Sequence, residues 1–313
     1  MKELDRRGFI LGGSAFAAAA SAGCRSVGAT GKFDENLSVF IADPHIAGPG
    51  MIYEYSPGRF TQFIDKILAM RPLPKRVICF GDVAEDYGLL SDYVASKPMY
   101  QRFLDAGIEV HLTLGNHDRR SNFLKVWPEY AKGPVPGRCT RVIDLGNCDL
   151  VLLDTLSGAD DRPENDMGPV GGVLGEAQLQ WFKNWVAAAK RPFFVGSHHL
   201  RDLVVGKQPP AYLVGESRFA CGWIHGHNHS WCPDWTVASW GRNKALPVLA
   251  LPSAAQSGDI GYVTFRTSPT GAVAELVQED FYFQSPQSHP VRPQAWDARV
   301  AQNQGARARF AFN

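Results

Sequence analysis

Carboxylate, amide and imidazole side chains gather in five short clusters along the chain: Asp43-Pro-His45, Gly81-Asp82, Gly115-Asn116-His117-Asp118, Gly196-Ser-His198-His199 and Gly226-His227-Asn-His229. Such groups converging on one place suit metal ions, and imidazole favours Mn, Fe or Zn over Mg or Ca. Asp43 and His45 stand two apart, as do His227 and His229. In extended chain, residues so spaced point the same way, so each pair is expected to face one site. An aspartate has two oxygens and can bridge two cations, while Asn116 offers a neutral carbonyl oxygen. The donors Asp43, His45, Asp82, Asn116, His198, His227 and His229 exceed what one tetrahedral ion takes, so two ions are expected.

The elements that must position these groups are legible next to them. Each cluster follows an apolar run, LSVFIA, RVICF, EVHLTL, FFV and CGWI in turn. Short apolar runs bounded by Gly or Pro read as buried strands. Five strands therefore deliver the donors at their carboxyl ends, the edge where open α/β sheets bind ligands. Ser56-Pro57 reads as an N-cap with proline at the first helical position, and Phe60, Phe63, Ile64, Ile67 and Leu68 follow at helical spacing up to Pro72. Glu176 to about Lys190 gives a second helix with Leu179, Phe182 and Val186 on one face, and a third falls within residues 91–106. Short strands follow at about 235–239, 246–251, 260–266 and 271–277.

The ordered set of clusters resembles the calcineurin-like metallophosphoesterase superfamily over roughly Leu37 to Phe265. The resemblance implies a four-layer αββα sandwich, an α/β fold of two mixed sheets flanked by helices. It implies that Asp43, His45 and His229 hold one metal, that Asn116, His198 and His227 hold the other, and that Asp82 bridges them. It further implies hydrolysis of a phosphoester by a hydroxide shared between the two ions, with His117 contacting phosphate and acting as general acid. Asp118 then orients His117 or caps the following helix. Arg119 and Arg120 are open to a phosphate contact or to plain exposure on a loop. The fourth cluster ends His198-His199-Leu200 where the family often has His-His-Pro, so the ligand there is His198 by analogy, with His199 behind it or facing substrate.

Further segments point to one branch. Gly115-Asn-His-Asp-Arg-Arg-Ser-Asn-Phe123, Leu153-Asp154-Thr155 and Gly172-Val-Leu-Gly-Glu-Ala-Gln178-Leu-Gln-Trp181-Phe182 are similar to class III cyclic-nucleotide phosphodiesterases and glycerophosphodiesterases. The chain departs from the protein Ser/Thr phosphatases, which continue Gly-Asp with a YVDRG-like run. It departs from the purple acid phosphatases, which have Asp-x-Gly and a metal-binding Tyr where this chain has His45 and Glu85. A phosphodiesterase acting on a small-molecule phosphoester is therefore expected. The alternatives are a phosphomonoesterase on small metabolites and a non-catalytic metal- or phosphate-binding envelope protein.

Composition sets the outer limits. The 45% apolar and 20% charged residues are those of a globular domain. A formal net charge of +1 gives no field for nucleic acid, so no nucleic-acid partner is expected. Residues 1–23 resemble a Tat signal: Arg6-Arg7 precedes an apolar stretch from Phe9 to about Ala22, too short to span a membrane. The expected location is exported, periplasmic or anchored as a lipoprotein at Cys24, with the Tat machinery as a partner. The main domain is read as 24–284, with 285–313 as a C-terminal extension. Outside the cytoplasm disulfides become accessible, and Cys139 with Cys148 or Cys221 with Cys232 are the candidate pairs, while Cys79 reads as a buried thiol. Trp223, Trp231, Trp235 and Trp240 form either an apolar wall for a leaving group or core packing.

Overall fold

Alternation along single strands decides the layering. In the strand β2 (Leu73–Phe80), Val77 and Cys79 pack to one side, while Ile78 and Phe80 pack to the other. In β7 (Phe193–Ser197), Phe194 joins Ile78 and Phe80 in the same core, while Phe193 and Val195 face away. Both strands are buried on both faces, so each belongs to a sheet covered on two sides. The computed structural model describes residues 33–50, 55–157, 171–200, 204–205, 210–240, 244–282 and 292–312.

Two six-stranded mixed sheets stack face to face. The first runs β14 (Arg307–Ala311), β13 (Gly271–Tyr282), β12 (Gly258–Ser268), β1 (Phe33–Ile41), β2 and β3 (Glu109–Thr113). The second runs β10 (Cys232–Trp240), β11 (Lys244–Ala250), β9 (Ala220–His225), β7, β5 (Asp149–Leu152) and β4 (Arg141–Asp144). A short pair, β6 (Gly172–Val173) with β8 (Val204–Val205), stands apart. Phe40, Phe80, Phe194, Phe265 and Phe310 fill the space between the sheets, and Phe40 stacks on Phe265 at 4.6 Å.

Helices cover the outer faces. Phe60, Phe63, Ile64 and Ile67 of α1 (Ser56–Ala69) pack on the first sheet, with Tyr93, Tyr100 and Phe103 of α2 (Leu90–Asp105) and Phe123 of α3 (Arg120–Val126). Phe182 of α4 (Glu176–Ala188) and Val214 of α5 (Pro210–Glu216) pack on the second. This is the α/β sandwich of two mixed sheets between helices that the sequence led to. A sixth helix, α6 (Gln294–Asn303), lies against β13, and β14 then joins that strand antiparallel, so the residues after 292 build an edge of the first sheet.

One local expectation changes. Ser56 does not cap α1 through its side chain; its Oγ donates to the carbonyl of His45 at 2.6 Å and tethers the helix to the first donor cluster.

Candidate metal centre

β1, β2 and β3 run parallel, as do β5, β7, β9 and β11, so the donor-bearing strands end at one edge of the two sheets. Past those ends the backbone turns sharply. Asp43, His45, Asp82, His227 and His229 all have positive φ, between 42° and 71°, and among the described residues they are all the non-glycine residues that do. Left-handed backbone is costly for residues with a Cβ, and such outliers gather at sites where the surrounding structure fixes them. The pairs two apart therefore face one site through tight left-handed turns, not through the extended chain that their spacing suggested.

The turns are held by the cluster itself. The backbone N–H of Asp43 donates to Gly81 O at 3.1 Å and that of His45 to Asp82 O at 3.0 Å. The N–H of His227 reaches both oxygens of Asp43 at 3.0 Å, and that of His117 reaches Asp82 Oδ1 at 2.9 Å. A Cβ on Gly115 would stand 2.1 Å from Asp82 Oδ1, so only glycine allows the third loop this close to the central carboxylate.

The donor atoms meet in three overlapping groups: Asp43, His45 and His229; His45, Asp82 and His117; and Asp82, His198 and His227, each with its ligand atoms within 4.8 Å of one another. Asp82 is shared between the last two. His229 Nε2 lies 3.4 Å from Asp43 Oδ1 and 3.3 Å from His45 Nε2. His198 Nε2 lies 3.2 Å from Asp82 Oδ2, 3.0 Å from Asn116 Oδ1 and 3.2 Å from His227 Nδ1. Every donor named from the sequence is thus in the cluster.

The chemistry of this set fits a cation. His198 Nδ1 donates to Phe80 O at 2.9 Å, which leaves Nε2 facing two oxygens and a nitrogen. Acceptor atoms crowded at hydrogen-bond distance call for positive charge among them, a proton on that ring or a cation in its place. Burial alone would push His198 down, yet the Asp82 and Asp43 carboxylates carry it up to about 9. Burial would push Asp82 up, but His198 and His117 hold it well below the usual carboxylate range. Burial, with His198 beside it, takes His227 down to about 4, which leaves that imidazole a neutral ligand.

The remaining sequence candidates divide. His117 stands at the rim, its ring 5.0 Å from that of His45, and its Nδ1 donates to Asp86 O at 3.1 Å. The residue that sets its ring is Asp86, whose carboxylate lies 3.6 Å away; no sequence signal singled it out. Asp118 does not cap α3, whose N-cap Arg119 has no side-chain cap, and His117 Nδ1 is bonded by Asp86. The buried Asp118 carboxylate accepts from the N–H groups of Val83, Ala84 and Gly115 and from Tyr93 Oη, binding the second and third donor loops together. Burial, with Asp82 nearby, raises Asp118 to about 6. Arg119 and Arg120 are not exposed loop arginines: Arg119 is buried with Nε donating to Tyr87 O, and Arg120 pairs with buried Asp154.

His199 is buried beside the cluster and bonds Thr155, while His225 bonds Gly226 O and stays outside the metal groups. Trp223 and Trp231 are core side chains, Trp223 donating to Ser197 Oγ, so they form no wall for a leaving group. Cys79, Cys139, Cys148, Cys221 and Cys232 are all free thiols, and Cys139 and Cys148 pack in different cores. Burial raises Cys79 to about 12, as befits an inert thiol. The Tat-like segment and Cys24 lie outside the described residues.

Two mixed sheets between helices, with an Asp/His/Asn cluster at the shared strand ends, make an α/β protein with a candidate metal site. The family model for calcineurin-like phosphoesterases matches residues 38–231, and the chain belongs to that family of metal-dependent phosphoester hydrolases. No curated protein matches the chain. Similar solved structures include a conserved uncharacterised protein of Streptococcus pneumoniae described as a predicted phosphoesterase, at 13% identity over 88% of this chain and 97% of that one, with a TM-score of 0.40. The sulfate thiohydrolase SoxB of Thermus thermophilus matches at 13% identity over 79% and 57%, TM-score 0.46. The NAD nucleotidase of Haemophilus influenzae matches at 15% identity over 77% and 54%, TM-score 0.43.

Proposed function

We propose that the chain is an exported phosphodiesterase with two metal ions, Mn, Fe or Zn, acting on small-molecule phosphoesters. The observation that carries the reading is the left-handed backbone of Asp43, His45, Asp82, His227 and His229, strain that among the described non-glycine residues falls on one donor cluster. Asp43, His45 and His229 would hold one ion, Asn116, His198 and His227 the other, with Asp82 between them. Bound there, the ions would supply Lewis acidity toward water and a phosphoryl oxygen.

The protein's own groups divide the remaining work. Asp86 O holds the His117 Nδ1–H, so in the doubly protonated ring it is the Nε2–H bond that would break to protonate the departing oxygen, leaving His117 neutral. Asp118 keeps the loops carrying Asp82 and Asn116 in register through its backbone bonds. Diester preference is supported by the branch resemblance of residues 115–123, 153–155 and 172–182. Export is supported by Arg6-Arg7 and the apolar stretch after them, and Cys24 is the candidate lipid anchor. An exported enzyme meets glycerophosphodiesters, nucleotides or other envelope phosphoesters, and these are the substrates proposed.

The test is turnover of bis-p-nitrophenyl phosphate and p-nitrophenyl phosphate by the full chain after chelation and after return of Mn, Fe or Zn. Metal-restored diester cleavage supports the reading. A higher kcat/KM on the monoester replaces it with a phosphomonoesterase. No turnover by folded, metal-loaded protein leaves a binding protein.

A further inference from the structure

His199 is the one imidazole of the five clusters whose place the metal centre does not explain. It is fully buried, its ring centroid 4.9 Å from that of His198 and 5.5 Å from that of His227. Its orientation is fixed from three sides. Nδ1 lies 2.8 Å from Thr155 Oγ1, and the backbone N–H of His199 also points at that hydroxyl, at 3.5 Å. The carbonyl of His199 accepts from Ser197 Oγ at 2.7 Å, and Ser197 is itself held by Trp223 Nε1. Gly172 backs the ring so closely that a Cβ there would stand 2.8 Å from Cγ and Nδ1.

The Thr155 hydroxyl and Nδ1 share one proton, and where the hydroxyl gives it, the neutral ring carries its own hydrogen on Nε2. Nε2 is buried and, among the described residues, has no hydrogen-bond partner. A buried donor left unmet costs free energy, and a fold that spends a threonine, a serine and a glycine on aiming one calls for an acceptor that arrives later. The ring stands beside His198 and His227, where an anion drawn to the metal centre would come.

We propose that His199 Nε2–H donates to a non-bridging phosphoryl oxygen on the His198 and His227 side of the metal centre, and that Thr155 is the positioning residue that holds it there. This rests on the phosphoesterase reading for its substrate, but not for its donor. The segments that resemble one branch of the family then have a local purpose: Thr155 and Gly172 both serve the second histidine of Gly196-Ser-His198-His199.

The experiment compares metal-loaded wild type with H199A, H199N, T155V and T155S. Metal content is measured by plasma mass spectrometry, inorganic phosphate binding by calorimetry, and kcat/KM with bis-p-nitrophenyl phosphate. We expect unchanged metal content, phosphate binding about 10-fold weaker in H199A, and kcat/KM about 10²-fold lower. H199N, which keeps a donor, recovers part of both, and T155S recovers what T155V loses. Wild-type phosphate affinity in folded H199A overturns the proposal, as does an H199N variant no better than H199A, or metal loss in H199A, which would make the residue a ligand. If wild type hydrolyses no phosphoester, the functional reading fails and the phosphate titration still decides this one.

Discussion

Arg120 and Asp154 form a two-pronged ion pair, with Nε 2.9 Å from Oδ2 and Nη2 2.9 Å from Oδ1. The pair joins the segment after Asn116 to the end of β5. Gln178 of α4 clamps the same residue from behind, accepting from Asp154 N at 3.0 Å and donating to Asp154 O at 2.7 Å. Asp154 also accepts from Cys139 N, and Arg120 donates to Leu156 O. Three separate stretches of sequence are thus one scaffold that bridges the two sheets behind the metal centre.

Breaking that scaffold from one side leaves the Asp154 charge to the more distant Arg138, at 3.9 Å. Asp154 is wholly buried, so Arg120→Ala is expected to cost about 3–5 kcal/mol, as removal of one partner of a buried pair does. Arg120→Lys keeps the charge but loses the fork and should recover only part. Chemical denaturation reads both. A loss within 0.5 kcal/mol, the size of an ordinary surface change, would show that the pair does not hold the scaffold.

The same pair sets an acid limit. Burial alone would raise Asp154, but Arg120 and Arg138 hold it below the ordinary carboxylate value. A carboxylate whose folded value is depressed contributes stability that is full above its unfolded value, about 3.9, and fades as pH falls through the folded value. Wild-type melting temperature should therefore drop below about pH 4, and Asp154→Asn should be less stable at neutral pH with a flatter acid limb. Parallel acid limbs in the two proteins would assign the acid loss to other carboxylates.

Much of this was readable in the chain because the signals are local. Apolar runs such as LSVFIA and RVICF mark buried strands, and the glycines and donors that follow mark the turns at their ends. The seven donors were found that way and lie in one cluster. What escaped depends on contacts between distant residues or on backbone form. Spacing two apart gave no hint that Asp43 and His45 sit in left-handed turns. Asp118 lies next to His117 in sequence, yet its carboxylate serves loop backbone, and the ring is set by Asp86, 31 residues earlier. Arg120 with Asp154 and Arg299 with Asp259 are pairings across 34 and 40 residues, which no local pattern encodes.

Arg299 ties the C-terminal helix to the metal loop. It grips Asp259 through Nη2 at 2.7 Å and Nε at 2.9 Å. Asp259 in turn donates its N–H to His229 O and accepts from Trp231 N, both at 2.8 Å. Arg299→Ala should strand the buried Asp259 carboxylate and loosen the turn that carries His229. The expected result is roughly 10-fold weaker metal binding, the scale seen when outer hydrogen bonds of a metal site are lost. Calorimetric titration of chelated protein with Zn or Mn measures it; unchanged affinity would mean that α6 covers the sheet without steadying the loop.

Asp82 gives the sharpest test of the centre. Its Oδ2 lies 3.2 Å from His198 Nε2 and 3.6 Å from His45 Nε2, between histidines of both groups, while Oδ1 takes the N–H of His117. Asparagine has nearly the same shape but offers one oxygen in place of two and removes the charge that steadies both halves. Asp82→Asn should therefore lower the bound metal per chain and cut kcat/KM on a diester roughly 10³-fold, with the fold intact by circular dichroism. The distribution of the loss is informative. A fall from two ions to one identifies Asp82 as the bridge, whereas a variant that keeps wild-type metal content and turnover would remove Asp82 from the centre.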